Sequence, residues 1–202
     1  LRDYSPAALD AELRYYTDTR RALSAINPST LTAVEAVDYP VMDAQLGFLI
    51  HQLSGRYQEK SIDSYVAEPF RGVDWQIQQM TDVGGGLLGT QEEWQQVLNL
   101  TLATNAYLDV ARANLLAGKR SGNIPDKRMV QRDGINGSTA NAEYFRVTLP
   151  GTAGGFIGAR AFGADMISRI AVAGETAAGA WDAFARFLAA NFDGHGAVER
   201  AP

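Results

Sequence analysis

Residues 90–133 constrain the fold most, because they predict a helix of many turns. Thr90 and Glu93 have the spacing of a capping box, in which the threonine hydroxyl accepts from a free backbone N–H and the glutamate accepts from the N-cap N–H. Apolar side chains then recur at intervals of three and four, the period of a helix: Trp94, Val97, Leu98, Leu102, Tyr107, Val110 and Leu116. We expect Gly118 to end this long core helix in the left-handed conformation, and Pro125 to be the first residue of a short helix through Met129 and Val130.

Two further helices are predicted on the N-terminal side. Ser5 and Pro6 are typical of an N-cap and a first helical residue, and apolar residues continue this helix to about Ile26. A second capping box at residues 32–35 opens a helix with little polar surface, which we expect to be central. Pro40 lies inside its pattern, so either the helix kinks there or a short piece precedes a helix that begins at Pro40.

The rest of the chain is predicted to alternate between loops and helices. Residues 56–72 show no clean period and indicate loop and short helix, followed by a helix through Trp75. Ser138 or Asn141 can cap a helix, and glycine and proline predict a loop at residues 150–155. The last helix is expected over residues 163–191. No strand pattern is present, so the prediction is an all-α, multi-helix bundle with one helical domain over residues 1–192 and a flexible tail over 193–202.

Charge and composition limit the classes of partner. The 202-residue chain has a formal net charge of −5 and a pI near 5.0, which argues against nucleic acid as the main partner, because phosphate binding needs a basic face. No apolar stretch approaches the ~20 residues of a membrane span. The chain begins at Leu1 and not at methionine, so we expect a processed or partial product. The sequence does not determine the cellular compartment, because a chain that begins at Leu1 is compatible with the removal of a leader peptide.

The titratable side chains do not predict a metal site. The chain has no cysteine and two histidines, His51 in the apolar second helix and His195 near the C-terminus. Neither has a second ligand at the i+3 or i+4 spacing that places two metal ligands on one helical face. We therefore expect no cofactor in this chain, with His51 structural and His195 exposed. Six aromatic residues at helical positions are predicted to be core: Tyr15, Tyr16, Trp75, Trp94, Tyr107 and Trp181.

The densest basic cluster follows the long helix and contains Lys119, Arg120, Arg128 and Arg132. These four residues are the candidate contacts for a substrate or an anion, because guanidinium and ammonium groups bind carboxylates and phosphates. Arg128 and Arg132 are four residues apart and are expected to share a helical face. The competing interpretation is structural: positive side chains at this place complement the C-terminal dipole of the long helix.

The same region resembles a known bacterial family. Residues 106–118 read AYLDVARANLLAG, and KRSGNIP with Met129 and Val130 follows. This order of a helix ending in Ala-x-x-Asn-Leu-x-x-Gly, a Gly-x-x-Pro turn and another helix is similar to the family catalogued as domain of unknown function 885. Residues 37–39 and 183–188 are also similar to that family. The resemblance therefore covers most of the chain.

The resemblance implies a helical zincin-type metallopeptidase, similar to the carboxypeptidase Taq group, in an exported, lipid-anchored or cytoplasmic bacterial protein. The expected zinc helix, of His-Glu-x-x-x-His type, has no counterpart in this sequence, which contains no His-Glu pair. The expectation is therefore an N-terminal helical part that forms a wall of a peptide-substrate groove, with zinc held only in the full-length protein. Its expected partners are a C-terminal half, a second chain or a second copy in a homodimer. The alternative is a non-catalytic helical module that binds a ligand or a protein.

Overall fold

The computed structural model describes residues 1–192, and these residues form eight α-helices and no strand beyond one isolated bridge between Asp82 and Leu88. The all-α prediction is confirmed. The predicted tail, with His195, lies outside the described residues. Within the described part of the chain, every helix is too short or too polar to span a bilayer.

The chain divides into two compact units, residues 2–58 and residues 59 onward with Leu1. The prediction of one domain over residues 1–192 stays a prediction. The first unit contains α1 (Pro6–Ser24), a 3-10 turn (Pro28–Thr30) and α2 (Glu35–Ser54). Ser5 caps α1 as predicted, since its side chain accepts from the N–H of Ala8. Arg20 of α1 forms a two-point ion pair with Asp43 of α2.

Helix α2 corrects two expectations about this unit. It is continuous through Pro40 and does not begin there. It is also not central: Leu46 is its single buried residue among those described, and Val37, Val41 and Phe48 are more than half exposed. His51 and Tyr15 are exposed too, so neither is the packed residue that its apolar neighbours predicted.

The second unit contains the remaining helices: α3 (Ile62–Gln78), α4 (Gln91–Ser121), α5 (Lys127–Met129), α6 (Gly137–Glu143), α7 (Leu149–Ile157) and α8 (Gly163–Phe192). Two π-helical segments, Val130–Asn136 and Tyr144–Thr148, join α5, α6 and α7 into one helical stretch. The long α4 and α8 pack against each other. Among the buried residues between the helices are Trp94, Leu108, Trp181 and Phe184.

Helix α4 confirms the predicted capping box. The Thr90 hydroxyl accepts from the N–H of Glu93 at 3.3 Å, and the Glu93 carboxylate accepts from the N–H of Thr90 at 2.6 Å. The helix does not end at Gly118, however, because Gly122 is the left-handed residue, with φ of 77°. Gly118 is buried inside the helix, where a Cβ atom would lie 2.5 Å from the carbonyl oxygen of Glu59.

Several predicted boundaries in this unit are wrong. The segment predicted as loop and short helix is largely α3, which runs through Pro69 and leaves Trp75 exposed. Asp126, not Pro125, precedes the next helix and caps it. Ser138 and Asn141 lie inside a helix and cap nothing, and the predicted loop at residues 150–155 is helical.

Candidate functional site

A groove of about 420 Å³ lies within the second unit. Helix α3 lines one side, and the π-helical segment at 130–136 together with α6 lines the other. The apolar lining is made by Val66, Ala67 and Phe70. Charged and polar side chains complete it: Asp63, Ser64, Arg71, Arg132, Asp133 and Asn141. The groove thus combines an apolar floor with charges of both signs.

Glycine allows the two sides of the groove to approach closely. A Cβ atom on Gly137 would lie 2.8 Å from Cγ1 of Val66, and one on Gly134 would lie 2.9 Å from Cγ2 of Ile62. Both distances are too short, because carbon atoms that are not bonded to each other normally lie about 3.5 Å or more apart. Asn141 also joins the sides, because its buried Nδ2 donates to the carbonyl oxygen of Val66 at 2.8 Å.

The π-helical segment brings Arg132 and Asp133 to the groove. A π-helix contains i→i+5 hydrogen bonds. Such turns are rare in proteins overall, but those that occur lie frequently at functional sites. Arg132 donates from Nε and from Nη2 to the two carboxylate oxygens of Asp133, each at 2.7 Å. This bond to Asp133 is the first cause of a raised pKa for Arg132, to which the nearby carboxylates of Asp63 and Asp126 add.

Arg71 and Asp63 differ from this pair, since both side chains are exposed and neither makes a hydrogen bond or ion pair with another residue in the range 1–192. Two acids on α3 lie three residues from Arg71, and both have other partners: Asp74 accepts from Nε2 of Gln78 at 2.6 Å, and Glu68 accepts from the hydroxyl of Tyr107 at 3.2 Å. The guanidinium group of Arg71 is therefore available to an anionic group of a ligand. The carboxylate of Asp63 is available in the same way to a cationic group.

Phe70 lies against a half-buried tyrosine beside the groove. Its ring meets that of Tyr144 edge to face, with centroids 4.8 Å apart. Burial raises the pKa of Tyr144 to about 12, and the carboxylate of Asp74 adds to this effect. Tyr144 is thus a neutral phenol that supports Phe70.

The structure separates the four basic residues that the sequence grouped. Arg132 lines the groove. Arg128 pairs with Asp126, the residue that caps its own helix. Lys119 donates to the carbonyl oxygen of Asn191 at 2.7 Å, and Arg120 is exposed on the last turn of α4. A role of these residues in substrate or anion binding stays a prediction.

The sequence interpretation missed Asp63, Phe70 and Arg71. The reason was that aromatic residues, charges and Pro69 show no clean period over residues 56–72, which indicated loop and short helix. A signal was nevertheless present: Asp63, Ala67, Phe70 and Arg71 follow the spacing i, i+4, i+7 and i+8, which places them near one helical face.

Metal ligands do not gather at the groove or elsewhere in residues 1–192, where no group of three or more His, Cys, Asp or Glu side chains could hold a metal ion. These residues therefore do not fit the zinc ion that the family resemblance implied.

The family resemblance itself is confirmed by comparison with known proteins. A family model described as "Bacterial protein of unknown function (DUF885)" matches residues 1–200. Searches of the curated proteins and of the solved structures found no match. Because the family model matches nearly the whole chain, the chain belongs to the bacterial DUF885 family of proteins of unknown function.

Proposed function

We propose that the groove binds peptides and forms one wall of the substrate site of a zinc-dependent peptidase. The observation that supports peptide binding is the exposed Arg71, which has no partner among the described residues and lies beside the apolar side chains of Val66 and Phe70. A peptide offers both a charged end and apolar side chains. The peptidase part of the proposal rests on the resemblance of the family to helical zincins.

In this proposal, residues 59–192 bind and orient the substrate. Arg71 would hold an anionic group through charge-assisted hydrogen bonds, which are stronger than neutral ones. Val66, Ala67 and Phe70 would cover an apolar side chain and remove its surface from water. The hydrolytic step would belong to a zinc site outside the described residues, so no part of that step is assigned to this groove.

A second candidate is a non-catalytic binding module. It is favoured by the fact that every lining residue of the groove comes from α3, the 130–136 segment and α6 within one unit. Such a site can bind a ligand without any further chain. The two candidates share the groove and differ in whether a hydrolytic centre belongs to the natural protein.

Peptide binding can be tested with a tryptophan that fills the groove. Ser64 lines the groove and is exposed, whereas Thr176 is exposed on α8 and does not line the groove. We expect the 202-residue chain to bind tripeptides in titration calorimetry, Ser64→Trp to abolish this binding, and Thr176→Trp to leave it unchanged. Loss of binding in both variants or in neither would place the peptide outside the groove.

The peptidase part needs two separate measurements. Adding zinc and peptide to the 202-residue chain should produce no hydrolysis, and zinc-dependent hydrolysis would contradict a metal site located elsewhere. Intact mass and zinc content of the protein from its native source then separate the candidates. A longer or two-chain species that contains zinc supports the peptidase, and a zinc-free species of 21.8 kDa supports the binding module.

A further inference from the structure

We infer that the groove selects a short peptide with both ends free, about two to three residues long, whose carboxylate lies at Arg71 and whose ammonium group lies at Asp63. This inference rests on the proposed function and adds ligand length and direction to it. It follows from two charged side chains of opposite sign that line one groove and have no partner within residues 1–192.

Arg71 provides the anion-binding end. A guanidinium group carries its charge at every physiological pH and offers parallel N–H donors that match the two oxygens of a carboxylate. Asp74, one helical turn further along α3, is occupied by its bond to Gln78. The C-terminal carboxylate of a peptide meets a guanidinium group there that has no ion-pair partner within residues 1–192.

Asp63 provides the cation-binding end. Arg132, which also lines the groove, is bonded to Asp133 through two bonds of 2.7 Å. Asp63 contributes to the raised pKa of Arg132 but forms no ion pair with it. An ammonium group at this end thus meets a carboxylate that has no ion-pair partner within residues 1–192.

The spacing of the two ends sets the ligand length. Asp63 and Arg71 are eight residues apart on α3, which corresponds to a rise of about 12 Å along the helix. An extended tripeptide spans about 10 Å, a dipeptide about 7 Å and a pentapeptide about 17 Å. With a hydrogen-bond contact of about 3 Å at each end, a dipeptide covers about 13 Å and a tripeptide about 16 Å, which the long Arg71 side chain can accommodate, whereas a pentapeptide at about 23 Å is too long. The volume of about 420 Å³ lies in the range of small-molecule sites, and Val66, Ala67 and Phe70 favour an apolar central side chain.

The inference can be tested with Ala-Leu-Ala, its C-terminal amide and its N-acetyl derivative, together with Ala-Ala and penta-alanine. Titration calorimetry should show that free Ala-Leu-Ala binds more tightly than penta-alanine, because the longer peptide cannot fit between the two ends. It should also bind more tightly than Ala-Ala, because Ala-Ala lacks the apolar leucine side chain that the groove covers. Amidation and acetylation should each weaken binding by about tenfold or more, since each removes one charge-assisted contact.

Two variants assign the ends. Arg71→Gln should weaken binding of the free tripeptide but should not weaken binding of its C-terminal amide any further. Asp63→Asn should likewise weaken binding of the free tripeptide but not binding of the N-acetyl derivative. Arg186→Gln is the matched control, because Arg186 is exposed on α8 and does not line the groove. All three substituted side chains are exposed, and circular dichroism would verify that the variants remain folded.

The outcomes separate this inference from the proposed function. If the free, amidated and acetylated tripeptides bind equally, the direction and length are wrong while peptide binding stands. If Arg71→Gln has no further effect on binding of the acetylated peptide but still weakens binding of the amide, the direction is reversed from the one inferred. If no peptide binds to the chain, both the inference and the proposed function fail.

Discussion

Two glycines of α8 predict opposite changes in stability when each is replaced by alanine. Gly179 is exposed, and a Cβ atom there would have no neighbour within 4 Å. Gly174 is buried, and a Cβ atom there would lie 2.3 Å from the carbonyl oxygen of Phe145. The two positions lie on one helix, so the local cost of glycine is similar at both.

The expected magnitudes follow from helix propensity and from packing. Alanine is favoured over glycine in a helix interior by about 0.8–1 kcal/mol, so Gly179→Ala should stabilise the protein by about this amount. Gly174→Ala has the same local gain, but the methyl group meets backbone of the π-helical segment that contains Phe145. Overpacking of this kind typically costs about 1–3 kcal/mol, and a backbone carbonyl yields less readily than the end of a side chain. The free energy of unfolding should therefore be lower for Gly174→Ala than for Gly179→Ala by about 1–3 kcal/mol.

Urea unfolding followed by circular dichroism measures this difference directly. Near the transition, each kcal/mol corresponds to a Tm change of roughly 2–4 °C for a chain of this size. We expect Gly179→Ala to have a higher Tm than the unsubstituted protein. The Tm of Gly174→Ala should be lower than the Tm of Gly179→Ala. Equal stabilisation by both substitutions would refute the close approach of α8 to Phe145.

Three further predictions concern a cap, a buried indole and a tyrosine. Thr90→Ala should lower the free energy of unfolding by about 1 kcal/mol, because the N-cap hydroxyl is lost; urea unfolding measures it, and an unchanged midpoint would contradict the capping role. Trp94→Phe removes the Nε1 donor that bonds the carbonyl oxygen of Leu88 at 2.9 Å, which should cost on the order of 1 kcal/mol in the same assay, beyond any loss from the smaller ring. The raised pKa of Tyr144 predicts that it binds its proton more tightly when folded, so its contribution is complete below pH 10 and is lost as the pH rises through about 12. A difference titration of near-ultraviolet absorbance against Tyr144→Phe should show one phenol that ionises near pH 12, and ionisation near 10 would contradict its burial.

Local signals predicted the beginnings of α1 and α4. Ser5 before Pro6 and the pair of Thr90 and Glu93 satisfy free N–H groups within a few residues, and the structure contains both caps. The apolar spacing of α4 likewise needs nothing beyond its own segment to be recognised. Such features depend on neighbours in sequence, which is why the sequence alone reveals them.

Helix ends and breaks were predicted less well, because the same residue serves two physical purposes. Gly118 suggested a left-handed helix end, yet it is required where the carbonyl of Glu59 comes close, and Gly122 has the positive φ. Proline and glycine suggested loops around Pro69 and over residues 150–155, where the chain is helical. Glycine costs a helix only about 1 kcal/mol and proline about 3 kcal/mol, so packing of the surrounding helix can outweigh either.

The candidate site shows the same limit. Its charged side chains are visible in the sequence, but basic residues alone suggested the cluster of Lys119, Arg120, Arg128 and Arg132. In the structure Arg132 lines the groove, and Lys119 and Arg128 have intramolecular partners. Which cation keeps no partner depends on groups distant in sequence, and Arg71 could not be chosen without them.

The sequence by itself determined the all-α class, the start of the long helix, the net charge and the membership of the DUF885 family. These properties depend on local periodicity, local capping and the order of motifs along the chain. Only the tertiary structure decided that α2 is exposed, that Gly134 and Gly137 let the π-helical segment and α6 approach α3, and that Asp63 and Arg71 line one groove. These properties depend on contacts between residues far apart in sequence, where burial and packing free energies exceed the local preferences of the chain.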